Sequence, residues 1–469
     1  MNAAEELTGL LGPHRVATDP LDLARHARDL AAGSLLAERR GEVLPVPLCV
    51  VRPIDSDQVV SVVRWANENR IPLVPYGGGS GVCGAIAAGG AVVVELRAMD
   101  QILDFDEDSR LVRVQPGMLG PDLDKALRAW GYLLGHEPQS MKISTVGGWI
   151  ATKAAGQLSA RYGGIEDLVK GLEVVLPTGD VVRAKTTPRR AAGPDLISLM
   201  IGSEGALGIV TEATLSVTPV AGTRADRCVR FAHMTDGVRA CRLIAQSELR
   251  PTLVRLYDTE DSEIFLRNHP DEARAPLLLL SFDGNGNGNG EDADARADAA
   301  VQLTKGTPGN DELVEHWWGH RNDAVDEYRK LMQGEGLLGP HALVDTVEVS
   351  GTWSVLRDLY HSMKKSFDGI ADLAGCHLSH VYPEGACLYF TLASACSDDG
   401  SAAQTHARWW DAAMRSCLDA GGSISHHHGI GRVKAPWMEE ELDGWLAALR
   451  TIKVALDPNG IMNPGVLGL

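Results

Sequence analysis

The chain is 469 residues long, with 44 Lys and Arg against 62 Asp and Glu and a formal charge of −18. A phosphate backbone is met by clustered Lys and Arg, so this balance argues against a nucleic-acid partner. Hydrophobic residues make up 44% of the chain, enough for an ordinary globular core, and at about 150 residues per domain the length suggests two or three domains.

The N-terminus lacks a basic leader, and no run approaches the ~18 apolar residues that would cross a bilayer. The eight cysteines are scattered with no Cys-x-x-Cys pair. They read as free thiols of a cytoplasmic protein.

In chain order, Pro20 to Arg40 reads as helical and solvent-facing. Leu44 to Val51 is strand-like, and Asp55 can N-cap a helix carrying Val59, Val62, Val63 and Ala66 on one side. Pro72 to Tyr76 is a short strand that runs into a glycine cluster. Ala91 to Leu96 and Leu111 to Gln115 are strands, and Asp122 to Trp130 is a helix stopped by Gly131. Strands Leu172 to Leu176 and Val181 to Ala184 flank the turn signal Pro177-Thr178-Gly179-Asp180. Gly208 to Val217 is a β-branched run. From Pro219 onward strands and helices alternate in the order of split βαβ units on one antiparallel sheet, closed by a helix from Ala402 to Ala420. The tract from Asp283 to Gly290 reads as a surface loop, because it has no Lys, Ser or Thr to suit a phosphate.

Gly79-x-Gly81-x-x-Gly84 matches a dinucleotide fingerprint by letters. Such a fingerprint should open a helix, whereas here the chain passes directly into the strand at Ala91. The loop Pro75-Tyr76-Gly77-Gly78-Gly79-Ser80-Gly81 is therefore read as joining two strands and as a nest of backbone N–H groups for a pyrophosphate. A plain glycine turn is the alternative. Two further segments rich in small, hydrogen-bonding residues support the nest: Gly135 to Gly148, and Gly202 to Glu212. Three such stretches suit a long cofactor laid across a sheet edge.

These segments, with Ser144-Thr145-Val146-Gly147-Gly148-Trp149 and the ending Asp457-Pro-Asn-Gly-Ile-Met-Asn-Pro464, resemble the FAD-linked oxidases of the vanillyl-alcohol oxidase type. The resemblance covers nearly the whole chain after residue 40. It implies an α+β fold: a two-subdomain FAD-binding domain and a ferredoxin-like α+β cap. Residues 1–40 would be an N-terminal helical segment, 41–220 the FAD-binding domain, 221–420 the cap, and 421–469 a segment returning to the FAD site. FAD, bound noncovalently, would contact Pro75, Tyr76, Gly77, Gly78, Gly79, Ser80, Gly81, Gln139, Ser140, Ser144, Thr145, Gly148, Thr152, Glu204, Gly205, Gly208, Ile209, Val210 and Asn463. Cys83 and His136 lie near the implied FAD path, in no recognised covalent motif.

Within the family, Ser425-His426-His427-His428-Gly429-Ile430-Gly431, Gly385 to Phe390 and Arg255 resemble alkyldihydroxyacetonephosphate synthase. That resemblance implies functional roles for Thr145, Arg255, Tyr389, His426, His427 and His428, with Tyr389 moving a proton. The other branch is the D-2-hydroxyacid dehydrogenases and the glycolate oxidase flavin subunit. Their His-x-Gly-Asp-Gly-Asn-x-His stretch is replaced here by His380-Val-Tyr-Pro-Glu-Gly-Ala-Cys-Leu-Tyr389. His427 stands where their acidic metal ligand would be, so no metal site is expected. The synthase's substrate phosphate is met by an arginine of the cap; the matching region here aligns poorly, with Arg321 and Arg329 both candidates, and Arg321, after a Trp pair, also resembles the arginine that holds the substrate carboxylate in the dehydrogenase branch.

Neutral imidazole is a suitable base for a carbinol near pH 7. In an extended segment His426 and His428 would share one face and His427 the other. His377 and His380 suit either substrate contact or satisfied core positions, His377 more the latter. These residues together suggest an FAD-dependent oxidoreductase acting on a small anionic alcohol or 2-hydroxy acid, with Arg255, Arg321 and His380 on the substrate. The alternatives are a synthase-like alkyl transfer through a flavin N5 adduct, and a flavin-binding protein without turnover. The sequence names no electron acceptor, and oligomeric state is left open, a homodimer included.

Overall fold

The computed structural model describes residues 2–266, 274–284, 291–336 and 338–469. The centre of the predicted Gly/Asn tract, 285–290, lies outside the described residues. Among the described residues no helix is long and apolar enough to cross a membrane.

A four-stranded sheet has the order Val16–Ala17, Cys49–Val51, Val92–Glu95, Leu73–Tyr76. Its last two strands are parallel, and the connection between them, residues 77–91, contains no helix. The glycine cluster therefore joins strand to strand. Asp55 caps the helix Ser56–Asn69 by accepting from the Gln58 N–H at 2.8 Å. Val59, Val62 and Val63 of that helix are fully buried on the sheet, and such burial contributes about 1.5–3 kcal/mol per side chain. The same core contains Ile461 and Met462, so the far end of the chain returns to this sheet. A backbone bond from Leu73 N–H to Ile461 O, 2.7 Å, ties the two.

A five-stranded antiparallel sheet follows, in the order Ile102–Asp106, Leu111–Val114, Ile209–Ser216, Val169–Val175, Val181–Arg183. The helices Gly120–Ala129 and Val146–Thr152 supply Leu123, Leu127 and Ile150 to its core. The strand Ile209–Ser216 alternates buried and part-exposed residues along its length, as a strand covered on one face should.

The segment after 224 builds a seven-stranded antiparallel sheet, ordered Thr307–Pro308, Arg224–Arg230, Leu277–Asp283, Leu253–Tyr257, Leu373–Ser379, Gly385–Ala395, Ala342–Thr352. Helices Met234–Ala245, Glu291–Thr304, Leu356–Ser366 and Asp399–Asp419 accompany it. Its core also takes in Ala32 and Leu36 from the N-terminus and Ile424, Ile430, Val466 and Leu467 from the C-terminus.

One expectation is corrected. The first forty residues are helical at Ala3–Leu11, Pro20–Arg25 and Ala32–Arg39, but they do not simply face solvent. Leu7, Leu36, Asp29 and Ala31 are buried. The stretch between the second and third helices lies against the glycine loop, with Leu30 N–H donating to Gly81 O and Ala88 N–H to Ala27 O. The polar residues of this segment masked the apolar spacing that packs it.

Candidate active site

A cavity with an empty volume of about 1760 Å³, its open mouth included, runs between the two smaller sheets and the seven-stranded one. One end is made of backbone. Gly77, Gly78, Gly79, Ser80 and Gly81 line it, and the N–H groups of residues 77–81 make no hydrogen bond within the protein among the described residues. Sheltered backbone donors are nearly always paired, so a row of free ones facing a cavity is a cradle for an oxyanion. The glycines also allow two loops to close on each other. A Cβ on Gly78 would sit 1.8 Å from Ile143 O, and one on Gly77 would sit 2.4 Å from Thr145 Oγ1. Asp29, buried and with its pKa raised by that burial to about 6, accepts from Ala85 N–H at 2.9 Å and braces the far side of the loop.

Two more chain segments complete this end. Thr145 N-caps the helix Val146–Thr152 through Gly148 N–H. Glu204 sits at φ +50 and its carboxylate accepts from Ile430 and Gly431 N–H groups. Burial raises its pKa to about 7. Asn463 donates through Nδ2 to Ala85 O and Glu204 O, which leaves its buried Oδ1 without a partner at the cavity wall.

The other end is made of side chains. Arg255, Asp345, Thr346, His377, Ser379, His380, Tyr389, His427 and His428 line it. Arg255 is 7% exposed and has no carboxylate within ion-pair distance among the described residues. It donates to Tyr257 Oη at 2.8 Å and approaches His377 Nδ1 at 3.4 Å, and His377 in turn meets Asp261 Oδ2 at 2.8 Å. Tyr389 stacks on His377 with centroids 4.7 Å apart and on His427 at 6.0 Å. Burial holds its phenol protonated, above the usual tyrosine range.

Every imidazole here is neutral at pH 7, chiefly through burial. His426, His428 and His377 are pushed down to about 4, and His427 and His380 also lie well below the ordinary value. Behind the histidines lies Glu348, fully buried and paired at 2.8 Å with fully buried Lys434. Burial opposes ionisation of Glu348, but the Lys434 ammonium and nearby imidazoles outweigh it and hold the carboxyl at about 2. This carboxylate accepts from the backbone N–H groups of His426 and His428 and from Ser425 Oγ. It wraps residues 425–428 around itself, so the segment is not a strand and the expected alternation fails. His427 and His428, neighbours in sequence, face the cavity, and His426 stands behind His427 with its Nδ1 3.1 Å from His427 Nδ1.

Most of the expected cofactor residues line the cavity: Pro75, Tyr76, the loop 77–81, Gln139, Ser140, Thr145, Gly148, Thr152, Glu204, Gly205 and Asn463. Ser144 does not, because its Oγ is buried accepting from Trp149 Nε1 at 2.7 Å. Ile209 and Val210 begin a strand paired with Val175 and Val174, Gly208 leads into it, and all three lie outside the lining. Arg321 is also outside it, paired at 2.9 Å with Glu137. Cys83 and His136 are buried off the lining. His377, favoured as a core residue, lines the cavity. Asp29, Tyr328 and Glu348 were not singled out by sequence, because an isolated carboxylate or a tyrosine on an amphipathic helix carries no motif.

The sequence leads to an expectation of no metal, because His427 stands in place of an acidic ligand. The fold instead groups His380 with His426 and His427, with one nitrogen of each within 4.8 Å of the others. That set is chemically able to hold a divalent cation. The same rings have protein partners: Ser159 Oγ at 2.7 Å from His380 Nδ1, and Tyr382 Oη at 3.1 Å from His426 Nε2.

Residues 47–185 match the FAD binding domain, and residues 225–467 match the C-terminal domain of FAD linked oxidases. An uncharacterized FAD-linked oxidoreductase of Escherichia coli (strain K12), YgcU, is 32% identical over 99% of this chain and 97% of its own. A D-lactate dehydrogenase of Anaerostipes hadrus is 31% identical over 89% of each chain. A solved structure of alkyldihydroxyacetonephosphate synthase superposes with a TM-score of 0.79 at 25% identity, covering 98% of this chain and 85% of that one. The chain belongs to the FAD-linked oxidases, is an FAD-dependent enzyme and has the fold that its sequence motifs imply. The free N–H groups of 77–81 fit the FAD pyrophosphate.

Proposed function

For this member of the FAD-linked oxidases, we propose oxidation of a small anionic 2-hydroxy acid or related alcohol. The observation that carries the reading is Arg255: a buried guanidinium with no carboxylate partner, on the same cavity wall as Tyr389, His427 and His428. A buried cation of this kind calls for an anionic ligand, and a planar guanidinium suits a carboxylate. FAD, when bound noncovalently, supplies the hydride acceptor at N5.

The protein's own residues do the rest. The backbone donors of 77–81, with Thr145 and Asn463, hold the cofactor. Arg255 fixes the substrate carboxylate and so aims the carbinol C–H. His427, neutral at pH 7, takes the hydroxyl proton. Tyr389, a protonated phenol stacked on His427, donates to the substrate oxygen. His428 and Thr346 complete the wall. The relationship to a D-lactate dehydrogenase supports the substrate class.

The test is anaerobic addition of a panel of small 2-hydroxy acids to the purified flavoprotein. Bleaching of the oxidised flavin band is the expected result. A second reading, a synthase-like alkyl transfer on a phosphorylated ketone, is favoured by the structural similarity to alkyldihydroxyacetonephosphate synthase and by the Tyr389–His427 stack. It takes over if no hydroxy acid bleaches the flavin while a phosphorylated acyl-ketone perturbs its spectrum and releases its acyl group.

A further inference from the structure

Charge on the cavity wall is unevenly shared. Arg255 is the one Lys or Arg on the described lining, whereas Asp29, Glu204 and Asp345 are all part of it. A single guanidinium can neutralise one anionic group and no second. Asp345 offers no help to another anion. Its Oδ2 takes Trp410 Nε1 at 2.9 Å and pairs with His406 Nε2 at 2.8 Å, and its Oδ1 takes the Thr346 N–H at 2.8 Å.

The rest of the wall near Tyr389 turns apolar. On the helix Ala324–Met332, Val325 and Tyr328 stand three positions apart, so they share one face, and both line the cavity. The Tyr328 hydroxyl donates to Leu30 O at 3.0 Å, which leaves its ring to the cavity. Leu30 lines the same space. Asp29, Asp345 and Tyr389 all act electrostatically on the Tyr328 hydroxyl, which sets this patch between the glycine loop and the side-chain end.

We propose that Leu30, Val325 and Tyr328 form a subsite for an uncharged, apolar substituent of the substrate. The enzyme then takes 2-hydroxy monocarboxylates that carry such a group and rejects 2-hydroxy dicarboxylates and phosphorylated acids. This deepens the hydroxy-acid reading above and rests on it.

The selectivity comes from exclusion as much as from attraction. With its carboxylate on Arg255, a substrate places its remaining substituent against the apolar face. Each methylene buried there strengthens binding about fourfold. A second carboxylate in that place would give up water for no charged partner, at a loss of about 10- to 150-fold.

The test compares acids of equal chain length on the holoenzyme. In anaerobic flavin reduction, malate should show an apparent Kd about 10- to 150-fold above that of 2-hydroxybutyrate. 2-Hydroxyisocaproate should bind more tightly than lactate, and 3-phosphoglycerate should leave the flavin oxidised. Independently of turnover, butyrate should perturb the flavin spectrum at a lower concentration than succinate. Val325→Arg, which sets a cation on the apolar face, should narrow the gap between malate and 2-hydroxybutyrate by about tenfold or more. Val325→Trp should weaken 2-hydroxyisocaproate more than lactate. Equal binding of malate and 2-hydroxybutyrate by the wild type, or an unchanged gap in flavin-loaded Val325→Arg, overturns the subsite. If no hydroxy acid bleaches the wild-type flavin, the function reading fails by itself. Butyrate and succinate then decide the subsite alone, and equal affinities, or no binding of either, overturn it.

Discussion

Around Gly77–Gly81 the cavity wall is backbone, whereas around Tyr389 it is buried titratable side chains, and the two ends differ in what holds them in place. The first end is shaped by steric permission: residues without a Cβ let Ile143 and Thr145 come close, and the N–H groups of the cavity-lining residues 77–81 keep no protein partner among the described residues. The second end is shaped by one ion pair. Glu348 and Lys434, both inaccessible, fix the bend that brings His427 and His428 to the surface of the cavity. Backbone donors cannot be changed by substitution, but the residues that permit them can. Buried side chains can be exchanged singly, but the pair beneath them cannot be broken cheaply. The comparison predicts separable failures, with cofactor retention lost at one end and turnover at the other.

Glu348→Gln tests it most severely. Removing one partner of a buried pair leaves the other charge uncompensated, at about 3–5 kcal/mol. We expect an unfolding free energy lower by that amount, read from denaturant melts, and no flavin reduction. The effect has a pH signature. The folded-state pKa is depressed from 4.5 to about 2. Its stabilisation is therefore complete above pH 4.5 and is lost as pH falls through 2. The stability gap between the wild type and Glu348→Gln should shrink over that window, and a constant gap would show that the carboxylate charge is not what matters.

Gly78→Ala comes next. Its Cβ would meet a carbonyl oxygen, which cannot rotate away, so we expect a loss of about 3 kcal/mol and most of the bound flavin. The ratio of flavin to protein absorbance measures it, and full retention would show that the loops yield. Arg255→Met should keep its flavin yet bind anionic substrate roughly 10- to 150-fold more weakly, the equivalent of about 1.5–3 kcal/mol for a charged hydrogen bond. Loss of flavin in this variant would mean that the two ends are coupled. Arg321→Ala should change least. Arg321 is part-exposed but Glu137 is buried, with Arg128 3.7 Å away as the remaining cation, so we expect about 1 kcal/mol in stability and an unchanged substrate Kd.

The backbone end was the more legible in the sequence. A glycine cluster between two strand-like runs is a local pattern, and the absence of room for a helix at Ala85–Gly90 excluded the dinucleotide reading from sequence alone. The side-chain end depended on residues far apart in the chain. His426, His427 and His428 were conspicuous, but their facing was misjudged. The alternation rule assumes an extended strand, and Glu348, some eighty positions upstream, imposes a different path. Arg321 carried a local resemblance to a carboxylate-binding arginine, and only tertiary structure reveals Glu137 beside it. Asp29 was hidden for the opposite reason: its neighbours are polar, and nothing local says that Leu30 will hydrogen-bond to Gly81.

The tie between Glu204 and residues 430–431, together with Asn463 bridging Ala85 and Glu204, has a consequence for synthesis. The segments that line the backbone end are made early, yet they are locked by atoms made last. A chain emerging in order can form the sheet around Leu73 and Val92 well before residue 463 exists. It cannot close the cofactor cradle until then. Completion of the cofactor cradle is thereby deferred to the end of translation, and a chain cut short before residue 430, lacking Lys434 beneath the histidines and Ile461 and Met462 beneath the first sheet, should be colourless and destabilised together.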